Sequence, residues 1–294
     1  MAWATVLRVS EKLTRAGLMS VSTYRHIAYR RQFGNRLQLN PPVKFSEKLL
    51  WRLLHDNNPL YAQLTDKIGV RDYVAAKGLA DTLVPTYACV QSADAIPFDD
   101  LPDSFVLKAA HGSGWNILVH PGDAVDREDI RSRCADWLSR SFSDHGFEQH
   151  YADVPPGLII EQMLEGEDGK VPPDYKIHCF NHGGEHKALI QLDTDRFTGH
   201  HRTLFSSEWE PLPFTWRCPR LTEAPPKPKN MEGMLAVAKT LSEDFDYVRV
   251  DLYNCDGKIY FGELTFTHES GMSIIEPAQW DTTLGDYWQL DVAR

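Results

Sequence analysis

The stretch that most constrains this chain is YVRVDLYNCDGKIYFGELTFTHESG, residues 247–271. Two β-rich runs flank an Asp256-Gly257 turn signal, so the stretch reads as a hairpin. In the first run Val248, Val250 and Leu252 alternate with Arg249, Asp251 and Tyr253. In the second, Tyr260, Leu264 and Phe266 alternate with Phe261, Glu263, Thr265 and Thr267. Successive strand side chains point to opposite faces. One face is therefore apolar core, and the other must accommodate a cation and two carboxylates.

Loop length decides whether those charges meet. A two-residue Asp256-Gly257 loop pairs Asp251 with Gly262 and sends Glu263 to the opposite face. A three-residue loop, Cys255-Asp256-Gly257, pairs Arg249 with Glu263 and leaves Asp251 diagonal to it, with Gly257 at the left-handed position. We expect the three-residue loop, or a compensating bulge, and both carboxylates on one surface. Carboxylates so close repel each other. A hard cation such as Mg²⁺ relieves the repulsion, with phosphate oxygens as its usual other ligands. Arg249 would then stabilise charge at a reacting centre. The competing reading is a solvated charged face with a cross-strand Arg249–Glu263 pair.

The rest of the chain sets the frame. Its 294 residues, 42% apolar and 24% charged, suit one large domain or two small ones. No uninterrupted apolar run is long enough to span a bilayer. Arg8, Glu11, Lys12 and Arg15 interrupt any signal-peptide core. Cys89, Cys134, Cys179, Cys218 and Cys255 are scattered with no CxxC pair, so we expect reduced thiols and a cytoplasmic location. The net charge of −10 disfavours a nucleic-acid partner. Yet residues 1–52 carry ten Lys/Arg against two acids, a net +8, while the remainder carries 21 against 39, a net −18. Either a basic helical surface docks on an acidic body, or the N-terminal segment contacts an anionic membrane face or polyanionic substrate.

Periodicity predicts helix over residues 1–34, a break at the NPPV of 40–43, a helix opened by Ser46 and Glu47, and another over about 60–78 stopped by Gly78. LVPTYACV reads as a strand, SFVLKAAHGSGWNILVH as strand, glycine loop and strand, and 126–147 as helix. GLIIEQML is a buried strand, and DYKIHCFN and KALIQLDTD are β-rich. Residues 203–229, with six prolines and two tryptophans, read as a long ordered loop. Asn230 is placed to cap a helix reaching about 244. The class is α+β with antiparallel sheets and a helical N-terminal third.

Lys108 ends a strand before Gly112-Ser113-Gly114. Glycines let backbone N–H groups approach an anion, and an ammonium adds charge. The Walker and dinucleotide spacings are absent. A plain hairpin loop with an exposed lysine fits the same residues. Glu161 at the end of a buried strand either accepts hydrogen bonds or reaches the surface. His111, His268 and the His200-His201 pair lack metal-ligand spacing and read as surface or hydrogen-bonding residues, with catalytic bases as the alternative. His268 and Ser270 are the best acceptor-site candidates.

In this order, KFSEKLLWRLLHDNNPLYAQLTDKIGVRDYV, LPDSFVLKAAHGSGWNI, DYKIHCFN, IQLDTDRFTGHHRTLF and DFDYVRVDLYNCDGKIYFGELTFT with the trailing SG resemble the TupA-like ATP-grasp family, over roughly residues 40–290. The resemblance implies an ATP-grasp fold: two α+β subdomains with antiparallel sheets sandwiching ATP, with 1–80 as a helical N-terminal segment, 81–165 as the small subdomain and 166–294 as the large one. It implies an ATP-dependent carboxylate–amine ligase forming an amide through an acyl phosphate. The carboxylate, on a small molecule or a glycan, and the amine donor are its substrates, in surface-polysaccharide biosynthesis. ATP and Mg²⁺ are the implied cofactors.

Carried over by position, Lys108, and more weakly Lys67, would contact ATP phosphates, with Gly112, Ser113 and Gly114 closing over them. Glu161, Gln162, Met163 and Leu164 would form the hinge reading adenine, with Glu165 or Asp168 on the ribose. Lys176, Arg196 and Arg202 align as phosphate or acyl-phosphate contacts. Asp251 and Glu263 would hold Mg²⁺, and Arg249 the acyl phosphate and tetrahedral intermediate. His268, Ser270 and Gly271 would lie at the substrate. Thr265 stands where many relatives have a metal-binding Asn; its hydroxyl would ligate Mg²⁺ too, but more weakly, which puts the second metal ion in doubt and not the first. No Rossmann-like βαβ unit precedes residue 60, so substrate must be held by other elements.

Overall fold

The structure, a computed structural model, describes residues 2–144, 147–166, 169, 171–194 and 199–292. The chain opens with helices α1 (Ala2–Arg15) and α2 (Val21–Phe33). The helix expected over 1–34 is thus two. Gly17 at φ 71 ends the first, and the Ser20 hydroxyl accepts the Thr23 N–H to start the second. Helix α3 (Phe45–His55) is opened by Glu47, whose carboxylate accepts the Val43 and Lys44 N–H groups at 3.0 Å each.

The helix expected over 60–78 is also broken, into α4 (Leu60–Thr65) and α5 (Val70–Ala76). The Asp66 carboxylate accepts the Ile68 N–H at 2.9 Å, a local bond that competes with the helix ladder. The break has a consequence for the site, because Lys67 lies in it. Then come β1 (Thr86–Val90), β2 (Phe105–Ala109), β3 (Asn116–Val119), α6 (Arg127–Leu138) and β4 (Leu158–Glu161). Helix α6 stops well short of the expected residue 147. The Ser139 N–H closes the last turn and its hydroxyl bonds the Asp136 carbonyl, in a Ser-rich run that favours local bonds over helix.

The second half holds β5 (Asp174–His182), β6 (Glu185–Thr194), β7 (His201–Ser206), β8 (Thr215–Trp216), α7 (Met231–Ser242), β9 (Tyr247–Cys255), β10 (Lys258–Thr265), β11 (Ile275–Glu276) and α8 (Gln279–Tyr287). Two strands therefore touch the 203–229 stretch expected to be loop: the end of β7, and β8, which pairs with β11. Asn230 does not cap α7 through its side chain. It takes left-handed backbone (φ 54), and its amide donates to the Gly257 carbonyl at 2.9 Å, fastening the helix start to the hairpin turn.

Two main antiparallel sheets result, beside the two-stranded β8–β11 sheet: a four-stranded one ordered β1-β4-β2-β3 and a five-stranded one ordered β10-β9-β5-β6-β7. The larger sheet buries Ile177, Ile190, Val248, Val250, Leu252 and Leu264 against Met231, Met234, Ala238 and Leu241 of α7. The smaller sheet packs Leu107, Ile117, Leu158 and Ile160 with Ile130, Cys134 and Trp137 of α6.

The opposite face of the larger sheet is divided. At one end Phe180, Leu189, Leu204 and Tyr247 pack against Phe45, Leu49, Trp216 and Trp288. The buried Arg52 guanidinium fastens α3 there, donating to the Tyr247 carbonyl at 2.7 Å, pairing with Asp246 and lying over the Trp288 ring. Ser46 adds a second fastening through its N–H and hydroxyl, both donated to Asp281 of α8. The other end of that face is polar and turns toward the smaller sheet.

Candidate active site

The hairpin turn is the two-residue Asp256-Gly257 loop, not the three-residue loop expected. Both residues have positive φ (55 and 101), and Cys255 pairs with Lys258. That register alone would put Asp251 and Glu263 on opposite faces. A bulge at Gly262 restores the phase: Phe261 pairs with Leu252, and the next pair is Glu263 with Asp251. A Cβ on Gly262 would lie 3.0 Å from the Asp251 carbonyl oxygen, so the bulge closes tightly at a residue without a side chain. The bulge also corrects the expected core face, since Phe261 rather than Tyr260 joins the apolar cluster under the sheet.

The phase shift builds a charged row across four strands. Glu263 lies opposite Asp251, Asp251 opposite Lys176, and Lys176 opposite Gln191. The next row on the same face is Thr265, Arg249 and His178. Arg249 bridges the rows. Its Nε and one terminal nitrogen donate to the two Asp251 oxygens at 2.6 and 2.7 Å, and the latter nitrogen also reaches Glu263 at 2.9 Å. Its other terminal nitrogen donates to His268 Nδ1 at 2.7 Å. Arginine has no acceptor, so His268 carries its proton on Nε2. Burial, the Arg249 charge and His178 keep that imidazole neutral by holding its pKa well below the ordinary histidine value.

Lys176 donates to Asp251 at 2.6 Å and to Asp174 at 2.5 Å. Burial opposes its charge, but the two carboxylates outweigh burial and raise its pKa. Burial would likewise raise the Glu263 carboxyl, yet Lys67, Arg249 and Lys176 together hold it below its ordinary value. A third cation, Arg202, is clamped by Asp193 at 2.7 Å and Glu269 at 2.8 Å. Burial opposes ionisation of Asp193, but the Arg202 contacts prevail and hold it at about 2.

The smaller sheet supplies the facing wall. Lys67, at the break between α4 and α5, donates to the Gly112 carbonyl at 2.6 Å and lies 4.0 Å from Glu263. Burial, ahead of every charge around it, lowers its pKa. Lys108 donates to Glu161 at 2.8 Å, and Arg71 reaches the other oxygen of that carboxylate at 3.3 Å. Glu161 thus accepts hydrogen bonds inside the protein, the first of the two readings its sequence position allowed. A Cβ on Gly112 would meet the Trp115 ring at 2.8 Å, so this loop position packs too closely for any side chain.

Between the walls lies a cavity of about 400 Å³. Of the expected site residues, Lys67, Lys108, Gly112, Ser113, Gly114, Lys176, Arg202, Arg249, Asp251, Glu263 and His268 line it. Thr265 stands beside it, its hydroxyl 3.3 Å from Glu263. Glu161 sits behind Lys108, and Gln162, Met163 and Leu164 do not reach the lining; Gln162 is pinned by its N–H to the Pro85 carbonyl at 2.9 Å. Ser270 donates to Glu148 instead, and Gly271, at φ 68, packs on α3 with a Cβ position 3.0 Å from Leu50 and the Ser46 carbonyl. Arg196 and Asp168 lie outside the described residues.

Sequence reading passed over Asp174, Gln191, Asp193, Tyr253 and Glu269, which also line the cavity. The same period-two test would have found most of them. Asp174 and Lys176 alternate with Tyr175 and Ile177, and Gln191 and Asp193 with Ile190 and Leu192. Of the histidines, His111 is structural: it accepts the Gly157 N–H at 3.3 Å and bonds the Trp137 carbonyl at 3.0 Å. His200 lines the cavity 3.3 Å from Asp193.

The family described as TupA-like ATPgrasp matches residues 47–289. The chain belongs to the TupA-like ATP-grasp family. Its α+β architecture of helices and two antiparallel sheets accords with that membership. Among solved structures, D-alanine–D-alanine ligase from Helicobacter pylori is similar at 12% identity and TM-score 0.42, over 70% of this chain and 51% of that one. Phosphoribosylamine–glycine ligase from Thermotoga maritima is similar at 12% identity and TM-score 0.43, over 75% and 52%. D-alanine–D-alanine ligase from Bacillus anthracis, complexed with ATP, is similar at 17% identity and TM-score 0.37, over 70% and 54%. The chain spans about half the length of each of these proteins. No curated protein matched the sequence.

The donor set of this TupA-like ATP-grasp chain bears on metal binding. Among the described residues, no three His, Cys, Asp or Glu side chains converge as a metal cage. Mg²⁺ sites that work on nucleotides need fewer, since one or two carboxylates share the ion with phosphate oxygens. Asp251 and Glu263, paired across β9 and β10, meet that requirement. The Glu263 oxygen nearer Lys67 lies 4.0 Å from that ammonium, a distance that leaves lone pairs for a metal. The residues therefore fit an ion that arrives with phosphate better than one held alone. No helix of the described residues is long and apolar enough to cross a membrane.

Proposed function

We propose that this chain is an ATP-dependent ligase joining a carboxylate to an amine. The observation that carries the reading is the facing of two cationic and anionic walls across one cavity: Lys67, Lys108 and the Gly112–Gly114 loop against Asp251, Glu263, Lys176 and Arg249. The residue spans 81–165 and 166–294 would be the two grasping halves, with 1–80 as a helical addition. A triphosphate is a polyanion, and its transfer chemistry needs positioning and charge neutralisation more than a covalent catalyst.

In this reading Lys67 and Lys108 hold phosphate oxygens, and Gly112, Ser113 and Gly114 offer backbone N–H groups. Glu161 to Leu164 border adenine, with Asp168 or Glu165 on the ribose. Asp251 and Glu263 hold Mg²⁺, whose chemistry is to neutralise phosphate charge; Thr265 orients Glu263. Arg249 and Lys176, with Arg202, face the charge that develops as the carboxylate becomes an acyl phosphate and is then attacked. Neutral His268, its Nδ1 occupied by Arg249, borders the acceptor with Nε2–H. ATP, acid and amine become ADP, phosphate and amide. In this reading the acid belongs to a surface polysaccharide or its precursor, and a small-molecule peptide product is the alternative.

The test is ADP release in the presence of candidate acids and amines, with product mass. The reading expects release that needs both partners and a product equal to acid plus amine less water. Release without any amine, with a phosphorylated product, would instead make this scaffold a kinase.

A further inference from the structure

Helix α1 has no part in that cavity, and its surface is unusual. Trp3, Val6 and Val9 are 50%, 43% and 49% exposed, and Leu18 just past its end is 76% exposed. At the helical repeat, Val6, Val9 and Leu13 form one stripe, and Arg8 and Lys12 form the stripe beside it. The side turned to the protein is different. Ser10 and Thr14 are buried there, their hydroxyls bonded to the Val6 and Ser10 carbonyls at 2.8 Å each. The core thus takes the two hydroxyl residues, while larger apolar side chains stand in water.

The charges are equally uneven. Arg15 is paired with Glu11 at 2.9 Å and lies over the Phe147 ring. Arg8 and Lys12 make no ion pair among the described residues, nor do the exposed Arg30, Arg31 and Arg36 on and after α2. The acidic body did not recruit them, although residues 1–52 carry a net +8 and the remainder a net −18. An apolar stripe bordered by free cations is the pattern of a helix that lies in the headgroup layer of a membrane.

We propose that α1 docks flat on an anionic lipid bilayer, inserting Val6, Val9 and Leu18 while Arg8 and Lys12 meet lipid phosphates. A soluble polyanion would engage the cations and leave the apolar stripe wet. A second copy of the chain laid on the stripe would bring two rows of unpaired cations together. The acidic remainder is no obstacle, because at physiological salt its field is screened beyond about 8 Å.

The experiment is cosedimentation of the full chain with vesicles of phosphatidylcholine, alone or mixed with phosphatidylglycerol, beside analytical ultracentrifugation of the protein alone. Binding is expected only with the anionic vesicles. The Arg8→Gln, Lys12→Gln pair should weaken it roughly 25-fold, about fivefold for each cation removed. The Val6→Asp, Val9→Asp pair should abolish it while circular dichroism and ADP release in solution stay unchanged, which separates this proposal from the ligase reading. Vesicle binding that survives Val6→Asp, Val9→Asp but not the charge change would overturn it in favour of a polyanion contact. Absence of vesicle binding, with self-association lost in Val6→Asp, Val9→Asp, would overturn it in favour of a protein interface.

Discussion

Replacing Arg249 by alanine is the sharpest probe of the charged rows. The guanidinium makes two hydrogen bonds to Asp251 and one to His268, all buried, and one part-buried to Glu263. Removing one partner of a buried ion pair costs about 3–5 kcal/mol, because the other is left uncompensated. Here Lys176 still holds Asp251 at 2.6 Å, which argues for the lower end, about 3 kcal/mol. The pH dependence carries the distinctive sign. In the native protein Glu263 is held below its ordinary value, so its contribution is present above the carboxyl range and is lost as pH falls through it. Without Arg249 one of the three cations that hold Glu263 down is gone, while Lys67 and Lys176 remain, so that contribution shrinks. Urea unfolding should therefore show a larger loss at about pH 7 than at about pH 3, where the carboxyl is protonated with or without Arg249. Mg²⁺ without nucleotide should stabilise the variant more than the native protein. A loss under about 1 kcal/mol, or one equal at both pH values, would refute this account of the rows.

Gly262→Val should destabilise by about 1–3 kcal/mol, read by urea unfolding, because the new side chain meets the Asp251 carbonyl at 3.0 Å and cannot move it without moving the carboxylate. Lys108→Met should weaken ATP binding at least tenfold by calorimetry, while Glu161, still reached by Arg71, keeps the loss of stability to about 1–2 kcal/mol. Asp281→Ala should lower the melting temperature by removing about 1–2 kcal/mol, since the buried Ser46 N–H and hydroxyl lose their acceptor, and should leave ATP affinity unchanged.

The alternation in residues 247–267 was enough to read a two-faced hairpin with its charges on one side, because period two is local. The register was not readable from the same rule. Asp256-Gly257 is a strong two-residue turn signal, and taken alone it separates Asp251 from Glu263. Gly262 carried the missing information, since a lone glycine inside a strand marks a bulge as often as a weakness. The partners of the hairpin were further from reach. Lys176 meets Asp251 only because β5 pairs with β9, strands far apart in sequence, and pattern within a strand does not specify its neighbour. The break that aims Lys67 was hidden for another reason: α4 and α5 share one continuous helical periodicity, and the Asp66 side-chain bond that ends the first is a local competitor of the ladder.

In the proposed function one cavity, between the Gly112–Gly114 loop and the Asp251–Glu263 row, holds nucleotide and metal together. A crystal structure with a non-hydrolysable ATP analogue and Mg²⁺ tests it most directly. The account predicts phosphates between Lys67, Lys108 and the glycine loop on one side and the ion on the other, with Asp251 and Glu263 as its protein ligands. A nucleotide bound elsewhere, or an ion in the cavity that touches neither carboxylate, would contradict it.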